Sequence, residues 1–333
     1  MADHLRAIKG TTQNPLVHIL MATHQGERYL EAQLESIHAQ THTHWVLHVS
    51  DDGSEDFTHK KLQDFIRHRD LANRVHFYNG PQLGSTSNFL HLIGLMKPIT
   101  QNPDCRDLFA FCDQDDVWLP DKLKRAVDVH QSLGQGDHDS CSEAILYAST
   151  TIICDEDLRP LRNSKLPKGE FSMHGALIQN LLSGNTMVMN TPLVRLLQKI
   201  DPSHSVWHDW TTFMAVVGCG GRVHVDANPS VLYRQHGGNV IGEQSKGLKT
   251  QSMRFNEIRL GRYRAWMEKN RLATQDIWED LTPTARSAFK SLQEIQMEER
   301  AIKRLSLAIH SGLKRQGALS QLAFWFICAL GWI

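Results

Sequence analysis

Residues 107–123 read DLFAFCDQDDVWLPDKL. Leu108 to Cys112 is a short apolar run and reads as a buried strand. It ends abruptly in Asp113-Gln114-Asp115-Asp116. A helix is expected after Pro120, since proline suits a helix's first turn. Strand, acidic cluster and helix in that order describe the carboxyl edge of an open α/β sheet, where ligands bind.

Upstream, the same rhythm repeats. Val17 to Ala22, Trp45 to Val49 and Val75 to Tyr78 read as strands. Between them, Leu30, Leu34 and Ile37 recur at helical spacing, as do Leu62, Phe65 and Ile66, and then Phe89, Leu92, Ile93 and Met96. A βαβαβαβ series predicts a mainly parallel sheet with helices on both faces and right-handed crossovers. Downstream, 134–142 reads as a surface loop and Ile145 to Cys154 as a strand. A helix is expected from Leu177, a short strand near Met187, another helix, then WHDW (207–210). Arg222 to Asp226 and Val231 to Tyr233 read as two strands. Beyond about residue 250 the pattern is helical.

The bulk composition narrows the function. Thirty-six basic and 36 acidic residues give a formal net charge of +0, so no overall positive field would draw in nucleic acid. The six cysteines include no C-x-x-C pair and suggest neither a zinc site nor a disulfide framework, which fits a reducing, cytoplasmic setting. The first fifteen residues have no apolar core of the kind a signal peptide carries.

The acidic strand ends carry the chemistry. No glycine-rich phosphate loop follows any strand. Carboxylates facing a diphosphate would repel it unless a cation lay between, and Mg²⁺ or Mn²⁺ held by one or two carboxylates plus phosphate oxygens resolves the conflict. In an extended strand end, residues i and i+2 face one side, so Asp113 and Asp115 can enter one site. Acidic residues at strand ends are also common turn formers and caps. For Asp51, Gly53 and Ser54 that plain reading is strong. For three carboxylates behind one apolar strand it is weaker.

Together with ATHQGERYLEAQLESIHAQTHTHWVLHVSDDGSED (22–56), the stretch 107–123 resembles the inverting family-2 glycosyltransferases of GT-A fold, most of all their bacterial rhamnosyltransferase-like branch. The likeness covers roughly residues 15 to 242. It implies a GT-A-like catalytic domain over 15–245 and a helical region over 246–333. It implies transfer of a sugar, with rhamnose the first candidate, from a nucleotide-diphosphate donor to a hydroxyl of a glycan or lipid-linked acceptor, in bacterial cell-surface polysaccharide synthesis. Residue by residue, Thr23, Asp52 and Asn79 match nucleotide contacts. Asp113 matches the residue near the ribose and diphosphate, and Asp115 the metal-binding one. Asp209 matches the general base, and His236 in YRQHGGN is expected at the diphosphate or metal. Two departures stand out. Ser87 occupies a position where many relatives have arginine, leaving Arg234 as a candidate substitute on the diphosphate, and His24 stands where tyrosine is common. A nucleotidyltransferase and a non-catalytic binding protein are the rival readings. The first would want a basic, glycine-rich loop, and the second is disfavoured by intact Asp113, Asp115 and Asp209.

Residues 322–333, LAFWFICALGWI, carry no charge. They are fewer than the roughly 20 apolar residues needed to span a bilayer. With Lys303, Arg304, Lys314 and Arg315 upstream, two expectations stand level: peripheral contact with the cytoplasmic face of the inner membrane, or packing within the domain or a dimer.

Overall fold

The computed structural model describes residues 14–102, 106–134, 142–237 and 261–333. The first half follows the expected rhythm: β1 (Val17–Thr23), α1 (Leu30–His38), β2 (Trp45–Asp51), α2 (Thr58–His68), β3 (Val75–Asn79), α3 (Ser85–Leu95), a short α4 (Lys97–Thr100) and β4 (Leu108–Asp113). β1 lies between β2 and β4 and pairs in parallel with both, and β3 pairs in parallel with β2. Then come β5 (Val117–Trp118), α5 (Lys122–Gly134), β6 (Ile145–Cys154), β7 (Pro160–Asn163), α6 (Met173–Ala176), β8 (Val188–Asn190), α7 (Thr191–Leu197), α8 (His208–Gly218) and β9 (Arg222–Arg234). Four helices close the described chain: α9 (Arg262–Asp276), α10 (Pro283–Met297), α11 (Ala301–His310) and α12 (Ala318–Leu330).

The strand order is β3-β2-β1-β4-β8-β6-β9-β5, with β7 on the side of β6. β8 is antiparallel to both β4 and β6, while β6 and β9 run parallel. Residue alternation divides the core between the two faces of this sheet. Val17, Ile19 and Met21 of β1 pack with Leu30, Leu34, Leu62, Phe65 and Leu123 from α1, α2 and α5. Leu20 and Ala22 face the other way, toward Phe89, Leu193 and Phe213 of α3, α7 and α8. A strand buried on both faces explains why β1 is apolar on both sides, interrupted only by His18 before Thr23.

Two expectations change. No helix starts at Leu177; the four-residue α6 precedes it, and the chain then runs irregularly to a 3₁₀ turn at Gly184–Thr186. The two strands expected at 222–226 and 231–233 are one, β9. Its register against β6 shifts between Ser149 and Thr151. The turn signal Asp226-Ala-Asn228-Pro229 forms a bulge rather than a break, with the Asn228 N–H bonded to the Asp226 carboxylate at 2.8 Å. Tyr263, Met267, Phe289, Ile295 and Phe324 join the same core as Leu20 and Phe89. The expected boundary at 245/246 and most of the 134–142 loop lie outside the described residues.

One buried imidazole supplies a test of this packing. His130 of α5 is bonded through Nε2 to the Val188 carbonyl at 3.1 Å. Burial pushes its pKa down to about 4. The folded state thus keeps His130 neutral while the unfolded chain protonates it below about 6.5, so this residue's contribution to stability is present above pH 6.5 and is lost as pH falls toward 4. His130→Gln keeps an N–H for Val188 and removes the titration. Between pH 7 and pH 5 the variant should gain about 2 kcal/mol relative to the parent chain, read from urea midpoints. A difference independent of pH would mean that His130 is accessible to protons in the folded state.

Candidate active site

The parallel register sets the site. Ala22 stands beside Asp113, Thr23 beside Asp51, and Asp51 beside Asn79, so β1, β2, β3 and β4 end level with one another. At this edge five aspartates, Asp51, Asp52, Asp113, Asp115 and Asp116, have separate jobs. Asp51 is structural: its carboxylate accepts from the Thr23 hydroxyl at 2.8 Å, the Ser54 N–H at 2.8 Å and the Ser54 hydroxyl at 2.6 Å, and it pairs with His59 at 3.1 Å. Burial alone would raise its pKa, but these bonds outweigh it and hold the carboxyl below the usual range. Asp52 accepts the backbone N–H groups of Gln82 at 2.6 Å and Gly84 at 2.7 Å, fixing the loop between β3 and α3. Thr23 and Asp52 are therefore buried and internally bonded, while Asn79 is exposed at the rim.

The D-x-D segment is clamped at its middle residue. Gln114 accepts the His24 N–H at 2.9 Å and returns a bond to the His24 carbonyl at 2.9 Å, tying the ends of β1 and β4 together. His24 is held here by its backbone. A Cβ on Gly26 would lie 2.3 Å from Gln114 Oε1, so this crossing needs glycine. Asp116 turns inward, is fully buried, and accepts from Asn185 Nδ2 at 2.6 Å and the Arg234 N–H at 3.1 Å. Asp113 and Asp115 stay at the opening, half-buried.

Asp209 comes to the same place from α8. Burial pushes the Asp113 carboxyl up to about 8, with the negative charges of Asp115 and Asp209 adding to the shift. Burial likewise pushes Asp209 up to about 6, against hydrogen bonds from the Trp210 N–H, the Asn180 side chain and the Gly184 backbone. Asp209 lies in the first turn of α8, where a helix favours negative charge. Its neighbour His208 points elsewhere. The His208 ring sits 4.0 Å from that of Phe89 and 4.8 Å from that of Phe111, and burial pushes its pKa down to about 3. Trp210 is core, its indole N–H bonded to the Ala176 carbonyl at 2.5 Å, and Trp207 stacks on it half-buried.

His236 completes the rim: its Nε2 is 2.7 Å from Asp115 Oδ2, and its ring is 4.7 Å from that of Tyr29. Arg234 braces this corner. Its guanidinium donates to the Asp115 carbonyl at 2.9 Å and the Glu156 carbonyl at 2.5 Å, and lies 4.5 Å from the Tyr29 ring centroid. It holds the loop under the D-x-D residues, which differs from the diphosphate contact considered for it above.

A divalent cation fits this donor set. Asp115 and Asp209 raise the proton affinity of Asp113, so negative charge gathers here for a cation to meet, and Asp115 and His236 offer hard oxygen and imidazole nitrogen. Among the described residues, no three His, Cys, Asp or Glu side chains converge to hold an ion unaided. The fit is thus to an ion that shares its coordination with phosphate oxygens and water.

By sequence Ser183-Gly184-Asn185, ahead of a short strand, reads as a plain turn, with approach to the acceptor the alternative. It lies beneath the whole site: Gly184 bonds Asp209, Asn185 holds Asp116, and the Thr186 carbonyl accepts from the buried Lys122 ammonium at 3.2 Å. Asn180, Tyr29 and Glu156 were also missed. The available signal was a run of small and polar residues directly ahead of an apolar strand, β8.

Comparison with known proteins agrees with this geometry. Residues 18–137 match the profile of the family described as Glycosyl transferase family 2. The chain is 25% identical over 250 residues to a dTDP-rhamnosyl transferase, RfbG, of Shigella flexneri, covering 75% of this chain and 82% of that one. It is 26% identical over 114 residues to the Escherichia coli UDP-Glc:alpha-D-GlcNAc-diphosphoundecaprenol beta-1,3-glucosyltransferase WfgD, covering 34% of this chain and 40% of that one. Among solved structures, S. aureus TarS 1-349 in complex with UDP-GlcNAc superposes with a TM-score of 0.52 at 14% identity, covering 95% of this chain and 81% of that one. GalNAc-T7 with UDP, GalNAc and Mn²⁺ does so with a TM-score of 0.51 at 10% identity, covering 96% of this chain and 55% of that one. Residues 18–137 thus match glycosyl transferase family 2, and the chain has the GT-A fold.

Proposed function

We propose that this chain is an inverting, metal-dependent transferase that passes a sugar from a nucleotide-diphosphate donor to a hydroxyl of a glycan or lipid-linked acceptor in bacterial surface-polysaccharide synthesis. The observation that carries the reading is the meeting of Asp113 and Asp115 with Asp209 at one sheet edge, close enough that Asp115 and Asp209 raise the Asp113 pKa. dTDP-rhamnose is the first donor to test, because the Shigella relative is a dTDP-rhamnosyl transferase. A lipid-linked acceptor is suggested by the diphosphoundecaprenol in the name of the E. coli relative.

In this mechanism Thr23, Asp52 and Asn79 line the nucleotide end. Asp113 lies at the ribose and diphosphate, and Asp115 with His236 would hold the cation. When bound, Mn²⁺ or Mg²⁺ supplies Lewis-acid stabilisation of charge on the departing diphosphate. Asp209 takes the proton of the attacking hydroxyl as that oxygen bonds the anomeric carbon on the face opposite the diphosphate, which accounts for inversion. A carboxyl of pKa about 6 is ionised at neutral pH yet basic enough to accept that proton late in the step.

The test is a melting-temperature series with dTDP-rhamnose, UDP-glucose, UDP-GlcNAc and GDP-mannose, each with Mn²⁺ or with excess chelator. A ligand that binds only the folded state stabilises it by about 2.7 kcal/mol at a hundred times its dissociation constant. One donor should raise the melting temperature with Mn²⁺ only, and Asp115→Ala should abolish the rise while melting normally without ligand. Equal stabilisation of both proteins in chelator would refute metal-dependent binding. Binding without release of nucleoside diphosphate, across acceptors, would favour a non-catalytic protein.

A further inference from the structure

The two closing helices offer an interaction surface that the donor site does not explain. α11 and α12 pack against one another, and α12 buries Phe324 and Cys328 in the common core. At 100° per residue, Leu319, Leu322, Phe326 and Leu330 fall within about 80° on the opposite side. They are 84%, 56%, 53% and 42% exposed. The helix is thus apolar on both its buried and its open face. On α11, Ile302 and Ile309, seven residues apart, are also exposed.

Charge selects what this face meets. Residues 300–333 contain Arg300, Lys303, Arg304, Lys314 and Arg315 and no aspartate or glutamate, in a chain whose formal charge is +0 overall; Arg300 and Lys303 pair with Glu298 at 3.3 and 2.9 Å, so the net positive charge rests on Arg304, Lys314 and Arg315. Two chains meeting through this face about a two-fold axis would bring like charges together. An anionic lipid surface complements both the charge and the apolar stripe. Among the described residues, no helix is long and apolar enough to cross a membrane.

We infer that the α11–α12 pair lies in the plane of an anionic membrane surface, with Leu319, Leu322, Phe326 and Leu330 in the acyl boundary and Lys314 at the headgroups. The inference stands apart from the donor reading, and the test keeps them separate because donor-induced stabilisation is measured on the same proteins. The full chain would be floated with vesicles of phosphatidylcholine and phosphatidylglycerol in equal parts, and with phosphatidylcholine alone. It should float with the anionic vesicles at low salt, less at high salt, and little with the neutral ones. Leu322→Glu/Phe326→Glu should lower the floating fraction at least tenfold, on the order expected when charge replaces buried apolar area. Lys314→Glu, a single exposed change, should weaken flotation with its melting temperature unchanged. Failure of the parent chain to float with anionic vesicles would overturn the inference. So would a dimer, seen by light scattering, that Leu322→Glu/Phe326→Glu dissociates in a chain that binds no vesicles.

Discussion

Asp209→Asn should lower turnover by roughly 10² to 10⁴, the range for loss of a general base, while the melting response to donor and Mn²⁺ stays near that of the parent. Asparagine keeps the shape and one accepting oxygen but takes up no proton. The parent's rate should fall below about pH 6, where the free protein's Asp209 becomes protonated. That acid limb should be missing from the residual rate of the variant. His208 gives the control. An imidazole pushed down to about 3 is a weak base, and its ring packs against Phe89 and Phe111. His208→Gln should therefore cost stability more than turnover. Single-turnover transfer decides: a nearly normal Asp209→Asn beside an inactive His208→Gln would reverse the assignment.

Much of this arrangement was legible because it rests on short-range pattern. The alternating faces of β1 and the acidic ends of β2 and β4 follow from neighbours in sequence, and parallel pairing then sets the strand ends side by side. The division of labour among the carboxylates was not legible. Asp51, Asp52, Asp113, Asp115 and Asp116 are one residue type at similar positions. What separates them is long-range: the amides of Gln82 and Gly84 for Asp52, and Asn185 for Asp116. The Asp226–Pro229 bulge misled for the converse reason. Its local signal is that of a turn, and only pairing with β6 on both sides keeps it within one strand. The tail was ambiguous because α12 is apolar on two faces, and sequence alone does not say which face finds the core.

Gly184→Ala should damage both the packing around α8 and the turnover. A Cβ there would lie 2.4 Å from His208 Nε2 and 3.3 Å from Asp209 Cβ. Real contacts do not reach the first distance, so something must move. The tip of a free side chain would yield at little cost, but the His208 ring is buried and packed against the Phe89 and Phe111 rings. The strain should pass to the start of α8 and to the Gly184 bond that helps orient Asp209. Overpacking of this kind costs about 1–3 kcal/mol. A shift of about 1 Å in a catalytic group can cost on the order of 10²-fold in rate, so turnover should fall by at least about that much, beyond what the stability loss explains. A double-mutant cycle identifies the route. His208→Ala removes the ring that the new methyl strikes, so Gly184→Ala placed in that background should lose far less stability and rate than it does alone, with a coupling of about 1 kcal/mol or more. If the two losses simply add, the methyl acts through some contact other than His208, and the turn does not position Asp209 by the route described.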